Sequence, residues 1–303
     1  KTGKWWEADE QKLREDALAS MDIRIMSIAV FDPPIESSRG HPIHVVATGS
    51  SSGKLSLYSY GCGSKEFSLM DENEVMHGCP ILSLAAVEFD GENRLLVSGD
   101  TRGRCAIWHV YKEISQDDES KHEWKLRCIE MKREVHQSGV NTICAWKEDE
   151  EPELLTIRDK TVSSCRLREI DLTIATGGDD QSLVLMRCIA SVTTPGEGNN
   201  NLPLKVRDLS RVKVECAHMS ALKAIGVSEK AEEGRERRGE SVRRLWTAGY
   251  DQVLKCWALK VSSGEVRCID QRVVDVPDVS SLEVLSDLSR APRAVVVAGH
   301  GMQ

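Results

Sequence analysis

The residue types of a nucleophilic triad, a hydroxyl, an imidazole and a carboxylate, recur along this chain at nearly constant spacing. His218, Thr247 and Asp251 form one set, and His136, Thr176 and Asp180 a second. His77 and Ser98 begin a third, but Arg102 stands where its carboxylate would be. In such a set the imidazole takes the hydroxyl proton while the carboxylate orients the ring, which is the chemistry of acyl transfer. A catalytic triad is built once, however, whereas these sets keep one register along the chain. The recurrence fits a structural repeat and argues against a hydrolase. Other chemistry finds no better foothold. There is no GxxxxGK[ST] loop, no GxSxG elbow and no HExxH helix. Gly177-Gly-Asp-Asp180 reads as a turn between strands, and His41, His44, His109, His122 and His300 lack metal-ligand partners at useful spacing. No catalytic residue, metal site or cofactor is expected.

The elements around these sets repeat as well. Each histidine stands four residues ahead of an apolar position: His77 before Ile81, His136 before Val140, His218 before Leu222. A strand ending in a small residue and glycine follows, as in Val97-Ser-Gly99, Ala175-Thr-Gly177 and Thr247-Ala-Gly249. After a turn comes a second apolar strand, as in Cys105-Ala-Ile-Trp108, Leu183-Val-Leu-Met186 and Leu254-Lys-Cys-Trp257. Fourth strands are read at Trp124–Ile129, Val212–Glu215 and Glu265–Ile269, where polar and apolar residues alternate. The repeat glycines fall at 49, 99, 177, 249 and 299, gaps of 50, 78, 72 and 50. A propeller blade takes about 40–45 residues, so the excess is loop. The expected fold is an all-β propeller with about four complete blades and a truncated fifth, part of a larger propeller. The units run 21–76, 77–134, 135–216, 217–272 and 273–303, with 1–20 a linker or helix.

The insertions, at 32–41, 111–122, 147–169, 191–204 and 228–243, each fall between first and second or third and fourth strands. In a meandering blade those connections leave on one face, so one rim is expected to carry every long loop. The acidic Lys147–Glu153 and asparagine-rich Gly196–Asn201 read as disordered surface. Arg235, Arg237, Arg238, Arg243 and Arg244 read as a basic loop on the same rim. With Lys205, Arg207, Arg211 and Lys213 nearby, they are candidates for contact with phosphate or a partner. The neutral alternative is a solvated, charge-mixed loop.

Net charge is −8 over 303 residues, so no global field draws the chain to nucleic acid or an anionic membrane. No apolar run is long enough to span a bilayer. The ten cysteines include no CxxC pair, and the chain has no Asn-x-Ser/Thr sequon. Buried, reduced thiols in a cytoplasmic protein are expected.

In the fourth unit His218, Thr247, Asp251 and Trp257 stand where a WD-repeat blade places its structural tetrad, with Asp accepting from His and Trp tied to Thr. Unit three keeps His136, Thr176 and Asp180 but has Met186 in the tryptophan place. Unit two keeps His77, Ser98 and Trp108. Larger stretches are similar to the WD-repeat proteins that partner FtsJ-type tRNA 2′-O-methyltransferases. They include His136-Gln-Ser-Gly-Val-Asn-Thr142, Ala175-Thr-Gly-Gly-Asp-Asp-Gln-Ser-Leu183 and Trp246-Thr-Ala-Gly-Tyr-Asp-Gln252. Val276-Pro-Asp-Val279, Ala298-Gly-His-Gly301 and Arg24-Ile-Met-Ser-Ile28 follow the same resemblance. It covers roughly Arg24 to the end. It implies the carboxy-terminal propeller of an adaptor without methyltransferase chemistry of its own. Such an adaptor binds the catalytic partner and helps present tRNA for ribose methylation at the wobble position. The alternative is a generic WD-repeat scaffold of ubiquitin-ligase, trafficking or chromatin assemblies.

Overall fold

The computed structural model describes residues 23–36, 42–73, 78–89, 93–114, 122–148, 166–194, 204–228, 232–233, 241–260, 263–286 and 292–299. The opening segment 1–20 and the loops at 149–153 and 196–201 lie outside them. All regular structure among the described residues is β-strand.

The strands form successive antiparallel meanders. Blade 1 consists of β1 (Ile25–Glu36), β2 (Pro42–Ser50), β3 (Leu55–Gly61) and β4 (Glu66–Asn73). Blade 2 consists of β5 (Ile81–Glu88), β6 (Asn93–Asp100), β7 (Cys105–Ile114) and β8 (His122–Lys132). Blade 3 consists of β9 (Val140–Lys147), β10 (Arg166–Gly178), β11 (Leu183–Thr194) and β12 (Lys205–Val214). In blade 4, β13 (Leu222–Val227), β15 (Ser241–Gly249), β16 (Val253–Lys260) and β17 (Val266–Val273) follow the same order, and the two-residue β14 (Glu232–Glu233) adds to β15. β18 (Val279–Ser286) pairs with β19 (Pro292–Gly299) as the inner half of a fifth blade. The first strand of every sheet packs on the first strand of the next, β1 on β5, β5 on β9, β9 on β13 and β13 on β18. Sheets radiating from a shared ring of first strands make a β-propeller.

The joint between blades explains the repeat glycine. A Cβ at Gly49 would lie 2.6 Å from Ile81 Cγ2, and one at Gly99 2.7 Å from Val140 Cγ1, both on the next blade's first strand. Gly177 meets Leu222 of blade 4 still more closely. The glycine is a notch that receives the first apolar residue of the following blade. Beside it a polar clasp closes the joint: Ser27 Oγ donates to Ile81 O at 3.1 Å and Ser83 Oγ to Val140 O at 2.9 Å. In blade 3 Asn141 Nδ2 takes that part, donating to Leu222 O at 3.3 Å. The register corrects the glycine series in the last two units. Gly249 pairs with Leu222 as Gly178 pairs with Val140, so the notch position is held by Ala248, and by Ala298 in blade 5. Ala248 packs there in one core with Val279, the residue that opens the first strand of blade 5.

The long connections join first to second and third to fourth strands throughout, so they share one face. The strands run further into them than the sequence pattern shows. β10 starts at Arg166, which pairs with Thr194 of β11, and β1 extends to Glu36 opposite Pro42. On the opposite face the turns between second and third strands recur, with a left-handed residue at one position: Gly53, Gly103, Gln181 and Gln252. Glycine takes that backbone freely, and glutamine holds it at a cost of about 1 kcal/mol.

Filling a notch should therefore separate two blades. Gly177→Ala is expected to lower stability by about 1–3 kcal/mol through overpacking, whereas Gly61→Ala, which meets only the movable Ser64 hydroxyl, should change it by less than about 0.5 kcal/mol. Urea denaturation of the two variants checks this.

Candidate functional site

In blade 4 the four residues singled out from sequence come together. His218 enters from the connection before β13, Thr247 lies on β15, Asp251 in the following turn and Trp257 on β16. Trp257 Nε1 donates to Thr247 Oγ1 at 2.8 Å, and the Thr247 hydroxyl lies 2.8 Å from His218 Nε2. His218 Nδ1 is 3.0 Å from Asp251 Oδ1, which also accepts from Val253 N at 3.3 Å, while Asp251 Oδ2 accepts from Met219 N at 2.8 Å. Because the indole can only donate, the threonine hydroxyl donates onward to Nε2 and the ring's proton sits on Nδ1, facing the carboxylate. The hydroxyl is a bridge with both roles spent. His218 and Thr247 are fully buried.

Blade 3 repeats the arrangement without tryptophan. His136 Nε2 is 2.8 Å from Thr176 Oγ1 and Nδ1 is 2.7 Å from Asp180 Oδ1. Ser182 Oγ donates to Asp180 Oδ1 at 2.6 Å, Gln137 N to Oδ2 at 3.1 Å and Lys213 Nζ to Oδ2 at 3.3 Å. Met186 packs in the core where the indole stands elsewhere. Blade 2 keeps the bond from Trp108 Nε1 to Ser98 Oγ at 2.8 Å, both side chains buried. His77 lies outside the described residues. Asp100, two residues before Arg102, accepts from Arg102 N, Arg104 N and Arg104 Nε at 2.9, 3.0 and 2.6 Å within its own turn.

Electrostatics agree with a structural role. Burial pulls His136 and His218 below the ordinary histidine value, against the opposing pull of Asp180 and Asp251, so both rings are neutral near pH 7. Burial would raise the two carboxyls. For Asp180 the Ser182 hydroxyl and His136 outweigh it, and for Asp251 the Met219 N–H and His218 do, so both stay below the usual carboxylate range. The buried thiols of Cys105 and Cys188 are pushed up to about 12 by desolvation, far from a nucleophilic thiolate. Among the described residues no three His, Cys, Asp or Glu side chains are placed to hold a metal ion, and no helix is long and apolar enough to cross a membrane.

The basic loop needs correction. Arg235, Arg237 and Arg238 lie outside the described residues, and Arg243 and Arg244 belong to β15 rather than to a loop. Arg243 is only 2% exposed. Its Nη1 donates to Ser228 O at 2.8 Å, its Nε lies 3.4 Å from Glu148 Oε2, and its guanidinium stacks 5.8 Å from the Trp146 ring centre. Glu148 Oε1 in turn accepts from Trp146 Nε1 and Thr173 Oγ1, each at 2.7 Å. This buried cluster ties blade 3 to blade 4 and cannot offer Arg243 to a phosphate. Alternation explains the error: within Val242–Thr247, 243, 245 and 247 point inward, and an arginine at an inward place reads as surface until its acid is found one blade away. Arg94 has the equivalent place in blade 2, stacked 5.6 Å from the Phe31 ring of blade 1.

Cations remain exposed on the outer strands. Lys205 and Arg207 face solvent on β12, and Arg133 does so just beyond β8. Arg211 is held by Glu134 O and Val135 O at 2.6 and 2.9 Å, and Lys132 reaches Asp208 and Glu130. Between β8 and β12 a cleft of about 320 Å³ opens over Met186. Blades 1, 2 and 4 have a β-bulge in the outer strand beside Tyr58, Trp108 or Trp257, whereas in blade 3 it lies two residues later, at Arg187/Cys188.

No family model matches the chain, and no curated protein matches it. Among solved structures the chain is similar to one from "Crystal Structure of Mitotic Checkpoint Complex", at 15% identity and a TM-score of 0.39. The match covers 81% of this chain and 55% of that one, so the chain spans little more than half its length. The propeller assignment rests on the sheets themselves.

Thr247→Val should strand the Trp257 N–H and the His218 ring and cost about 1–3 kcal/mol of stability. Arg243→Ala should cost about 3–5 kcal/mol by leaving Glu148 buried without its cation, against less than about 0.5 kcal/mol for Arg207→Ala; urea midpoints rank the three. The histidines also predict acid sensitivity. The unfolded chain has rings of ordinary pKa near 6.5 that bind protons the folded chain refuses. Stability is therefore full above about pH 7 and falls as pH drops below about 6.5, with the carboxylates adding a further loss below about pH 4. Denaturation midpoints that stay level from neutral pH to about pH 5 would contradict this assignment.

Proposed function

We propose that this propeller is a non-catalytic adaptor. It supports ribose 2′-O-methylation at the tRNA wobble position by binding an FtsJ-type methyltransferase, with tRNA reached through the complex in the cytoplasm. The observation that supports a binding role is the state of the two triad-like sets. Both are buried, with hydroxyl, ring and carboxylate engaged inside their own blades, so the chemistry of this propeller is turned inward and its surfaces are free for partners. The tRNA reading rests on the sequence resemblance and draws support from Lys205, Arg207 and Arg133, cations exposed on a chain of net charge −8. Arg243 has no part in it.

A second reading, a scaffold that docks a peptide or domain in ubiquitin-ligase, trafficking or chromatin assemblies, is favoured by one feature. Met219 is 82% exposed beside the exposed Tyr250 on the turn face, with Lys223 Nζ 4.8 Å from the Tyr250 ring centre. Affinity capture from cell extract, with and without RNase, distinguishes the two. Recovery of an FtsJ-type methyltransferase with tRNA is expected. Lys205→Glu with Arg207→Glu should then reduce tRNA recovery and lower the salt dependence of binding by about one unit of log–log slope per lost contact. Capture of ligase, vesicle or chromatin proteins alone, unchanged by RNase and lost in Met219→Asp, would replace the adaptor reading with the scaffold.

A further inference from the structure

Blade 3 departs from its neighbours at one pair of positions. In blades 2 and 4 the indole of the third strand lies opposite a cysteine of the fourth, Trp108 opposite Cys128 and Trp257 opposite Cys268. Blade 3 exchanges both members at once. Met186 holds the indole's place, ten residues after Thr176 as Trp257 is after Thr247, and Arg211 lies opposite it. A slim thioether leaves room that a bicyclic ring would fill, and Arg211 reaches over the joint to Glu134 O and Val135 O. The outcome is the cleft of about 320 Å³ between β8 and β12, at the lower end of the ~300–1,000 Å³ of ligand sites.

The cleft is apolar at its floor and cationic in its walls. Met186 is buried there, and Leu209, the bulged residue of β12, stands beside it 42% exposed. Lys132 is spent between Glu130 and Asp208, and holds both acids in turn. Arg133 and Arg211 remain. Arg211 gives Nη2 to two carbonyls, which carry no charge to oppose it, and Nε and Nη1 keep their N–H groups. Such a site suits an anion joined to an apolar body. A phosphodiester strand fits poorly, because Glu130 and Asp208 stand in the wall and none of the lining residues is aromatic to stack a base. A carboxylate matches the guanidinium fork, and methionine adapts to side chains of varied shape.

We propose that this cleft binds an acidic segment of a protein partner, whichever assembly the propeller serves. A carboxylate of the segment pairs with Arg211 and Arg133, and a large apolar side chain next to it covers Met186 and Leu209.

Fluorescence anisotropy on the 303-residue chain tests it, with labelled Glu-Glu-Phe-Glu-Glu, Glu-Glu-Ala-Glu-Glu, Lys-Lys-Phe-Lys-Lys and pentauridylate as probes. The first should bind saturably and weaken as salt rises, the second should bind about tenfold less tightly, and the third should not bind. Arg133→Glu and Leu209→Asp, both at exposed positions, should each weaken the first peptide by at least about tenfold. Arg267→Glu, the same charge change on the outer strand of blade 4, should leave it unaltered. Met186→Trp should abolish binding by filling the cleft, with Thr176 Oγ1 placed to accept from the indole as Thr247 Oγ1 does. Circular dichroism checks that each variant is folded, and the two surface variants decide the matter alone should the larger ring unfold the blade. Failure of the acidic peptide to bind, binding that survives Arg133→Glu and Leu209→Asp, or preference for the lysine peptide would overturn the proposal. So would pentauridylate that binds in place of the peptide and is lost in the same variants, which would make the cleft a nucleic-acid site.

Discussion

Around the axis, each first strand lies so close to the next that a side chain has no room at Gly49, Gly99 or Gly177. That spacing sets the rest of the molecule. It brings the apolar residue opening each blade, Ile81, Val140 or Leu222, into full burial against its predecessor. It also puts the Ser27 and Ser83 hydroxyls within reach of a carbonyl across the joint. Those carbonyls belong to first strands, which use their other backbone groups in the ladder of their own sheet. The clasp therefore satisfies a group that the joint would otherwise bury without a partner.

The tetrads act in the other direction, within a blade. His136 and His218 come from the segment before the first strand and reach the second strand and the turn beyond it, pinning connection, strand and turn together. A neutral hydrogen bond contributes about 1 kcal/mol net, while a fully buried leucine or isoleucine contributes about 1.5–3 kcal/mol. Packing is thus the larger contribution, and blades lacking part of the polar set keep their place. Blade 2, with Asp100 turned to its own amides, still encloses Trp108 in a core shared with blade 1. Blade 3 exchanges the indole for Met186, and its neighbours adjust: the outer bulge shifts by two residues and a cleft opens at the rim.

These assignments decide which residues remain for recognition. A triad of hydroxyl, imidazole and carboxylate looks reactive on paper, but here the hydroxyl accepts from an indole and donates to the ring, so no substrate could reach it without dismantling the blade. Arg243 shows the same logic for charge. Paired with Glu148 and stacked on Trp146, it spans two blades, whereas Lys205 and Arg207 on the outermost strand of blade 3 keep their charge in water. The cations and apolar side chains left in water lie on the outer strands and the turn face, as Lys205, Arg207 and Met219 do.

Much of this was legible in the residues alone. A histidine four places before an apolar strand, a small residue and glycine ending the next, and a tryptophan ten places after a serine or threonine defined the propeller, its repeat and the His218–Thr247–Asp251–Trp257 set, because these depend on short-range register. The sequence also placed every long loop on one face, since a meander allows only two. What it could not show lies between blades. That Ala248, not Gly249, is the notch follows from strand pairing. That Asp100 accepts from the amides of Arg102 and Arg104 depends on how its turn closes. That Arg243 is buried depends on Glu148 and Trp146, about a hundred residues away in the chain and brought alongside only when two sheets pack. Local pattern determined the blades; contacts of long sequence separation decided which charged and apolar residues those blades hide.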